Sequence, residues 1–163
     1  MDKEKKTILV LGGSLGARSI NEGVLNNLSI IRESSFQLLW QTGDYYYDHI
    51  LSKKIEEKNL VIKPFIKRMD LAYQVADIIV SRAGAIAISE LCYISKPLIL
   101  IPSPNVVDDH QRKNANEVFS NGGCLLVEDK DAKDEMLNQA INLLENSEMK
   151  FHILKEFIVS HLS

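Results

Sequence analysis

Six short runs of apolar, often β-branched residues recur along the chain, at 7–12, 36–41, 60–65, 77–81, 97–102 and 123–128. Several, such as TILVLG and PLILIP, lack the apolar–polar alternation of a half-exposed strand. Strands covered on both faces read this way. Between them lie segments with helical spacing, at 18–33, 45–58, 69–76, 84–95, 109–121 and 131–147, and a last one at 149–161 has no strand after it. Turn residues mark the seams in QTGD, KPF, SPN and NGG. Strands alternating with helices predict an α/β domain with a doubly wound, Rossmann-like parallel sheet of about six strands and helices on both faces.

In such sheets ligands bind beyond the carboxyl ends of the strands, where the strand order reverses. The loops that matter are therefore 12–17, 41–44, 64–68, 81–85 and 102–110. Composition narrows the classes of partner. The chain has 163 residues, enough for one domain with a real core. Its net charge of −3 leaves no basic footprint for a nucleic-acid partner. Cys92 and Cys124 form no metal-ligand spacing and read as buried, reduced thiols. The amino terminus MDKEKK has no signal-peptide core, and no segment approaches the ~20 apolar residues of a membrane span. A soluble, cytoplasmic chain is expected.

Three constellations carry candidate chemistry. In LGGSLGAR (11–18), a strand passes through three glycines and Ser14 into a helix near Arg18. Unpaired N–H groups and a partial positive charge at a helix start suit phosphate; a tight turn with no ligand is the plain alternative. A dinucleotide loop would read G-x-G-x-x-G, with an acidic residue closing the second strand to hold a ribose. Here that strand ends in Trp40-Gln41-Thr42-Gly43, with Asp44 only in the following turn, which disfavours NAD.

In SRAGAIAISE (81–90), Gly84 and Ala85 open a second helix after a strand. Glu90 falls on the face of that helix's first turn, where a carboxylate could accept two hydrogen bonds from a ribose diol. The alternative is a packing helix with Glu90 paired to a lysine or arginine. In PSPNVVDDHQRKNAN (102–116), prolines stiffen a loop and Asp108 or Asp109 is expected to cap the next helix. His110, Gln111 and Asn114 then form a polar set suited to sugar hydroxyls, or a solvated helix start. Neither a metal at Asp108-Asp109 nor a general base at His110 is assigned. His49, His152 and His161 read as surface or packing residues, and one ring of Tyr45-Tyr46-Tyr47 is expected to pack inward.

Together LGGSLGAR, the segment 64–91, KPLILIPSP (96–104) and DHQRKNA (109–115) resemble the carboxyl-terminal half of the MurG family. These are UDP-N-acetylglucosamine transferases that complete the lipid-linked peptidoglycan disaccharide. The resemblance spans about residues 6–147. It implies one UDP-sugar (donor) binding domain over residues 1–163, half of an inverting GT-B glycosyltransferase.

By that resemblance the backbone at Ile66 would read the uracil and Glu90 would hold the ribose. Ser14, Gly16 and the N–H groups of Gly84, Ala85 and Ile86 would face the diphosphate, with Arg82 nearby. Gln111, with His110 beside it, would bind the N-acetylglucosamine. No cofactor or metal beyond the donor is implied. The departures are Ala83 and Ala87 where the family often carries hydroxyl residues, and His110 where a glutamine is also found. The amino-terminal domain, expected to hold the lipid-linked acceptor, the membrane-facing patch and the catalytic base, is absent from this sequence. That pattern fits an excised donor domain or a split subunit, inactive alone. The full-length protein would be peripheral on the inner face of the bacterial plasma membrane. Another UDP-sugar transferase of the same fold, or a non-catalytic nucleotide- or NAD-binding module, are the competing readings.

Overall fold

The computed structural model describes residues 1–104, 109–150 and 153. The strands are β1 (Thr7–Leu11), β2 (Gln37–Gln41), β3 (Leu60–Lys63), β4 (Ile78–Ser81), β5 (Leu98–Leu100) and β6 (Leu125–Leu126). The helices are α1 (Arg18–Leu25), α2 (Leu28–Glu33), α3 (Asp44–Ser52), α4 (Met69–Val75), α5 (Ala85–Ile94), α6 (His110–Ser120) and α7 (Ala132–Glu145). All ladders are parallel and the sheet order is β3-β2-β1-β4-β5-β6. The order reverses between β1 and β4, where Leu11 pairs with Ser81, so the doubly wound expectation is borne out.

The period of two along β1 explains why its apolar run does not alternate. Ile8 and Val10 enter one core with Ile20, Trp40, Met136 and Leu143, which lies under α1, α2, α3 and α7. Leu9 and Leu11 enter the other with Leu39, Ile79, Leu100 and Leu91, under α4, α5 and α6. Both sets are buried, each large side chain contributing about 1.5–3 kcal/mol. At Gly23 on α1 a Cβ would lie 2.9 Å from both Ala132 O and Met136 Cε, so glycine permits the close crossing of α1 and α7.

Several boundaries differ from the expected ones. The helix expected over 18–33 is two helices, interrupted at Asn26-Asn27. Asn27 Nδ2 donates to Gly23 O at 2.7 Å, and this side chain-to-backbone bond competes with helical continuation. The helix expected over 45–58 stops at Ser52, with Lys54 in a left-handed conformation (φ 51°). Asp109 precedes α6, also at positive φ, but its side chain makes no capping bond. Its carboxylate instead lies 3.4 Å from Arg112. Asp108 lies outside the described residues, as does the expected 149–161 helix apart from Met149, Lys150 and Ile153. Cys124 is buried but Cys92 only half so; both thiols are free. Burial pushes the Cys124 thiol up to about 12. Tyr46 is the ring that packs on the core, while Tyr45 and His49 are exposed.

Candidate functional site

The ends of β1 and β4 each run through a short loop into a helix start, and the two loops face one cleft of about 870 Å³. Their cap residues, Ala17 before α1 and Gly84 before α5, carry no side-chain oxygen that could satisfy the first-turn N–H groups. Those donors and the positive ends of both helix dipoles are left for a ligand.

The glycine loop is built by interlock. Gly16 sits at φ 91°, and a Cβ there would run into the Thr42 carbonyl and lie 2.5 Å from Tyr46 Cδ2. Its neighbour Gly43, at φ 81°, would carry a Cβ into the Gly16 backbone. Asp44 N–H donates to Ser14 O at 3.1 Å and Gly12 N–H to Gln41 O at 3.1 Å. The loop is thus clamped to the end of β2, with the Ser14 side chain exposed at the cleft. Gly84 is different: its φ is −65° and a Cβ would meet nothing within 4 Å. There glycine preserves open space.

Ser14, Gly16, Ile66, Arg82, Gly84, Ile86, Glu90 and Gln111 all line this cleft, whereas Ala85 and His110 do not. Ala85 borders a second, smaller hollow between α5 and α6, so its cleft contribution is limited to the helix start. Glu90 is exposed, and its bonding partner is Tyr73 rather than a lysine or arginine. The Tyr73 hydroxyl donates to Glu90 Oε2 at 3.1 Å. Burial, then the neighbouring carboxylate, hold that hydroxyl well above the ordinary tyrosine range, so it stays a donor. Gln111 Oε1 accepts from Ser103 N–H at 3.0 Å, and Asn114 Nδ2 donates to Ala83 O at 3.3 Å. These bonds tie the start of α6 to the loops after β4 and β5.

Arg82 reaches the cleft wall with its guanidinium already engaged. It pairs with Asp129, donates to Ser19 Oγ at 3.2 Å and to Ile101 O at 3.2 Å. Ser19 Oγ in turn donates to Asp129 at 2.5 Å. Arg82 therefore braces α1, β5 and the loop after β6. Sequence reasoning did not single out Ser19, Tyr73, Asp129 or the side chain of Gln41. Gln41 Nε2 donates to Gly13 O at 3.1 Å, and its Oε1 accepts from Ile66 N–H at 2.9 Å. The local signal for Gln41 was its place at the end of a strand that leads into a cleft loop; the others had none.

Comparison with known proteins agrees with this architecture. Residues 7–156 match the glycosyltransferase family 28 C-terminal domain. A transferase of Parabacteroides distasonis is 43% identical over 150 residues, covering 91% of this chain and 41% of the relative. A Bacteroides fragilis protein of the same name is 44% identical over 167 residues, covering 100% and 43%. Both are named UDP-N-acetylglucosamine--N-acetylmuramyl-(pentapeptide) pyrophosphoryl-undecaprenol N-acetylglucosamine transferase. The chain thus spans about two fifths of the length of these curated relatives. The Acinetobacter baumannii MurG crystal structure superposes with a TM-score of 0.75 at 29% identity, over 96% of this chain and 46% of that one. CalG4, the calicheamicin glycosyltransferase, has a TM-score of 0.72 at 14% identity, covers 96% and 38%, and shows the shared fold alone. The chain belongs to the glycosyltransferase family 28 C-terminal domain, and the resemblance of its motifs to MurG is borne out.

Proposed function

We propose that this chain is the donor-binding half of an inverting UDP-N-acetylglucosamine transferase of the GT-B type. The observation that carries the reading is the convergence of two helix starts without side-chain caps on one cleft, with Glu90 and Gln111 also lining it. A diphosphate suits the α1 and α5 starts, with the Ser14 hydroxyl as an added donor and the N–H groups of Ala85 and Ile86 from the first turn of α5. The Glu90 oxygen not bound by Tyr73 is left for a ribose diol. The Gln111 amide nitrogen suits a sugar oxygen, since its carbonyl is taken by Ser103. The Ile66 N–H is held by Gln41, so its carbonyl is the group free to accept the N3–H of a uracil.

In the whole enzyme an acceptor 4-hydroxyl oxygen bonds to the anomeric carbon as the bond to UDP breaks. The hydroxyl proton passes to a base in the amino-terminal domain. The two helix ends stabilise the charge growing on the departing diphosphate, a preorganised electrostatic role. The acceptor is the lipid-linked muramoyl-pentapeptide, reached through an amino-terminal domain resting on the membrane. Among the described residues no helix is long and apolar enough to cross a membrane.

Calorimetric titration with UDP-N-acetylglucosamine, UDP-glucose, UDP and NAD tests the reading. Uridine ligands are expected to bind, the N-acetylated sugar best, and Glu90→Ala to weaken them by about 1–3 kcal/mol. Preference for NAD, or no uridine binding by a folded chain, would overturn it.

A further inference from the structure

We propose that Gln41 is a positioning residue that joins the glycine loop and the base-side loop into one unit, holding the diphosphate and base subsites at a fixed separation. This rests on the uridine diphosphate reading above and extends it to a cleft-lining residue whose side-chain amide is bonded to the protein's own loops. Gln41 is the last residue of β2, in register with Leu11 of β1 and Lys63 of β3. The loops that leave those two neighbouring strands carry Ser14 and Gly16 on one side and Ile66 on the other. The residue is 3% exposed, and its side chain spends both halves of its amide on these loops, as a donor to Gly13 O and an acceptor from Ile66 N–H. Its main-chain carbonyl takes Gly12 N–H as well.

The chemistry selects this side chain narrowly. A tie between a backbone carbonyl on one loop and a backbone N–H on the other requires a donor and an acceptor at the same end of one side chain, which an amide supplies. Ionised glutamate keeps the acceptor and loses the donor. Leucine keeps most of the volume and loses both. Asparagine is one methylene too short for the same span.

A ligand with two parts gains from a site whose two halves are already at the right spacing, because the second contact becomes intramolecular. Loosening the tie therefore costs the linked ligand, not the separate parts. The test uses the whole chain with uridine, inorganic pyrophosphate and UDP as probes, comparing the parent with Gln41→Leu and Gln41→Glu. Folding is checked by the fluorescence of Trp40. For Gln41→Leu the expected result is uridine and pyrophosphate affinities within about threefold of the parent and UDP affinity down about tenfold or more. Hydrogen exchange at the Ile66 amide is expected to accelerate in Gln41→Leu and remain slow in Gln41→Glu, which keeps that acceptor, while Gln41→Glu also loses UDP affinity. Should Gln41→Leu not fold, Gln41→Met, uncharged and likewise without the amide, carries the same comparison.

UDP affinity unchanged in a folded variant would overturn the tie while leaving the donor-site reading intact. So would equal losses for UDP and one of its parts, which would make Gln41 a feature of a single subsite. A parent chain that folds but does not bind UDP would instead remove the uridine diphosphate reading, and the tie with it.

Discussion

Replacing Gly16 by alanine is expected to cost about 2–5 kcal/mol of folding stability. The backbone at φ 91° accounts for roughly 1–2 kcal/mol, since an L side chain is disfavoured at positive φ. The new methyl would also enter the Thr42 carbonyl and approach Tyr46 Cδ2 to 2.5 Å. Tyr46 could turn aside, but the Thr42 carbonyl is held by Asn21 Nδ2 at 3.0 Å, inside the core. Overpacking against a fixed group adds roughly 1–3 kcal/mol. Urea unfolding followed by the emission of Trp40, the single tryptophan, reads the loss directly. With an m-value of about 1–3 kcal/mol/M the midpoint should drop by about 0.7 M or more, with m unchanged. A loss below about 1 kcal/mol would mean that the glycine loop is not locked against the end of β2, and the account of a preformed cradle would fail.

Gly84→Ala makes the opposite pattern. Stability should stay within about 0.5 kcal/mol or rise slightly, because φ is ordinary and the methyl has room, while UDP affinity measured by calorimetry falls. Tyr73→Phe removes the donor that orients Glu90 and should weaken UDP binding by about 0.5–1.5 kcal/mol, with inorganic pyrophosphate binding unchanged. Asn21→Ala strands the Trp40 indole N–H and the Thr42 carbonyl, both buried, and should cost about 2–4 kcal/mol in urea unfolding. The Cys124 thiol is raised from an ordinary 9.0 to about 12, so the unfolded chain releases its proton first. Its contribution is complete below pH 9 and is lost as pH rises toward 12. A urea midpoint that falls above pH 9 less steeply in Cys124→Ala than in the parent checks this.

The strands were legible because a residue run buried on both faces must be apolar at every position, as at Ile8, Leu9 and Val10. Their lengths were less so. β5 and β6 keep only three and two residues in the ladder, since pairing depends on the neighbour and not on the run itself. The break at Asn26-Asn27 was written locally, in two residues that favour side chain-to-backbone bonds over helix interior, and the apolar spacing around it obscured the signal. In the cleft, the glycine loop and Glu90 could be read from spacing, because they act through the backbone or helix face beside them. The brace of Arg82 with Asp129 joins residues 47 positions apart, and the bond from Ser19 to Asp129 spans 110. Such partners follow from strand order, which no local pattern contains. The same holds for Gln41, whose role emerges once β2 is known to lie between β1 and β3.

The adjacency of β1 and β4 has a consequence for how the protein comes apart. The loop after β1 and the loop after β4 face each other across the cleft. The segments that carry them are joined by a ladder of four residue pairs, by the crossing of α1 and α7 at Gly23, and by the brace of Arg82 and Asp129 with Ser19. On the proposed reading a bound diphosphate bridges the two segments, and its binding energy is lost when they part. Ligand should slow hydrogen exchange deep in both cores, through the global opening reaction, rather than only in the loops it touches.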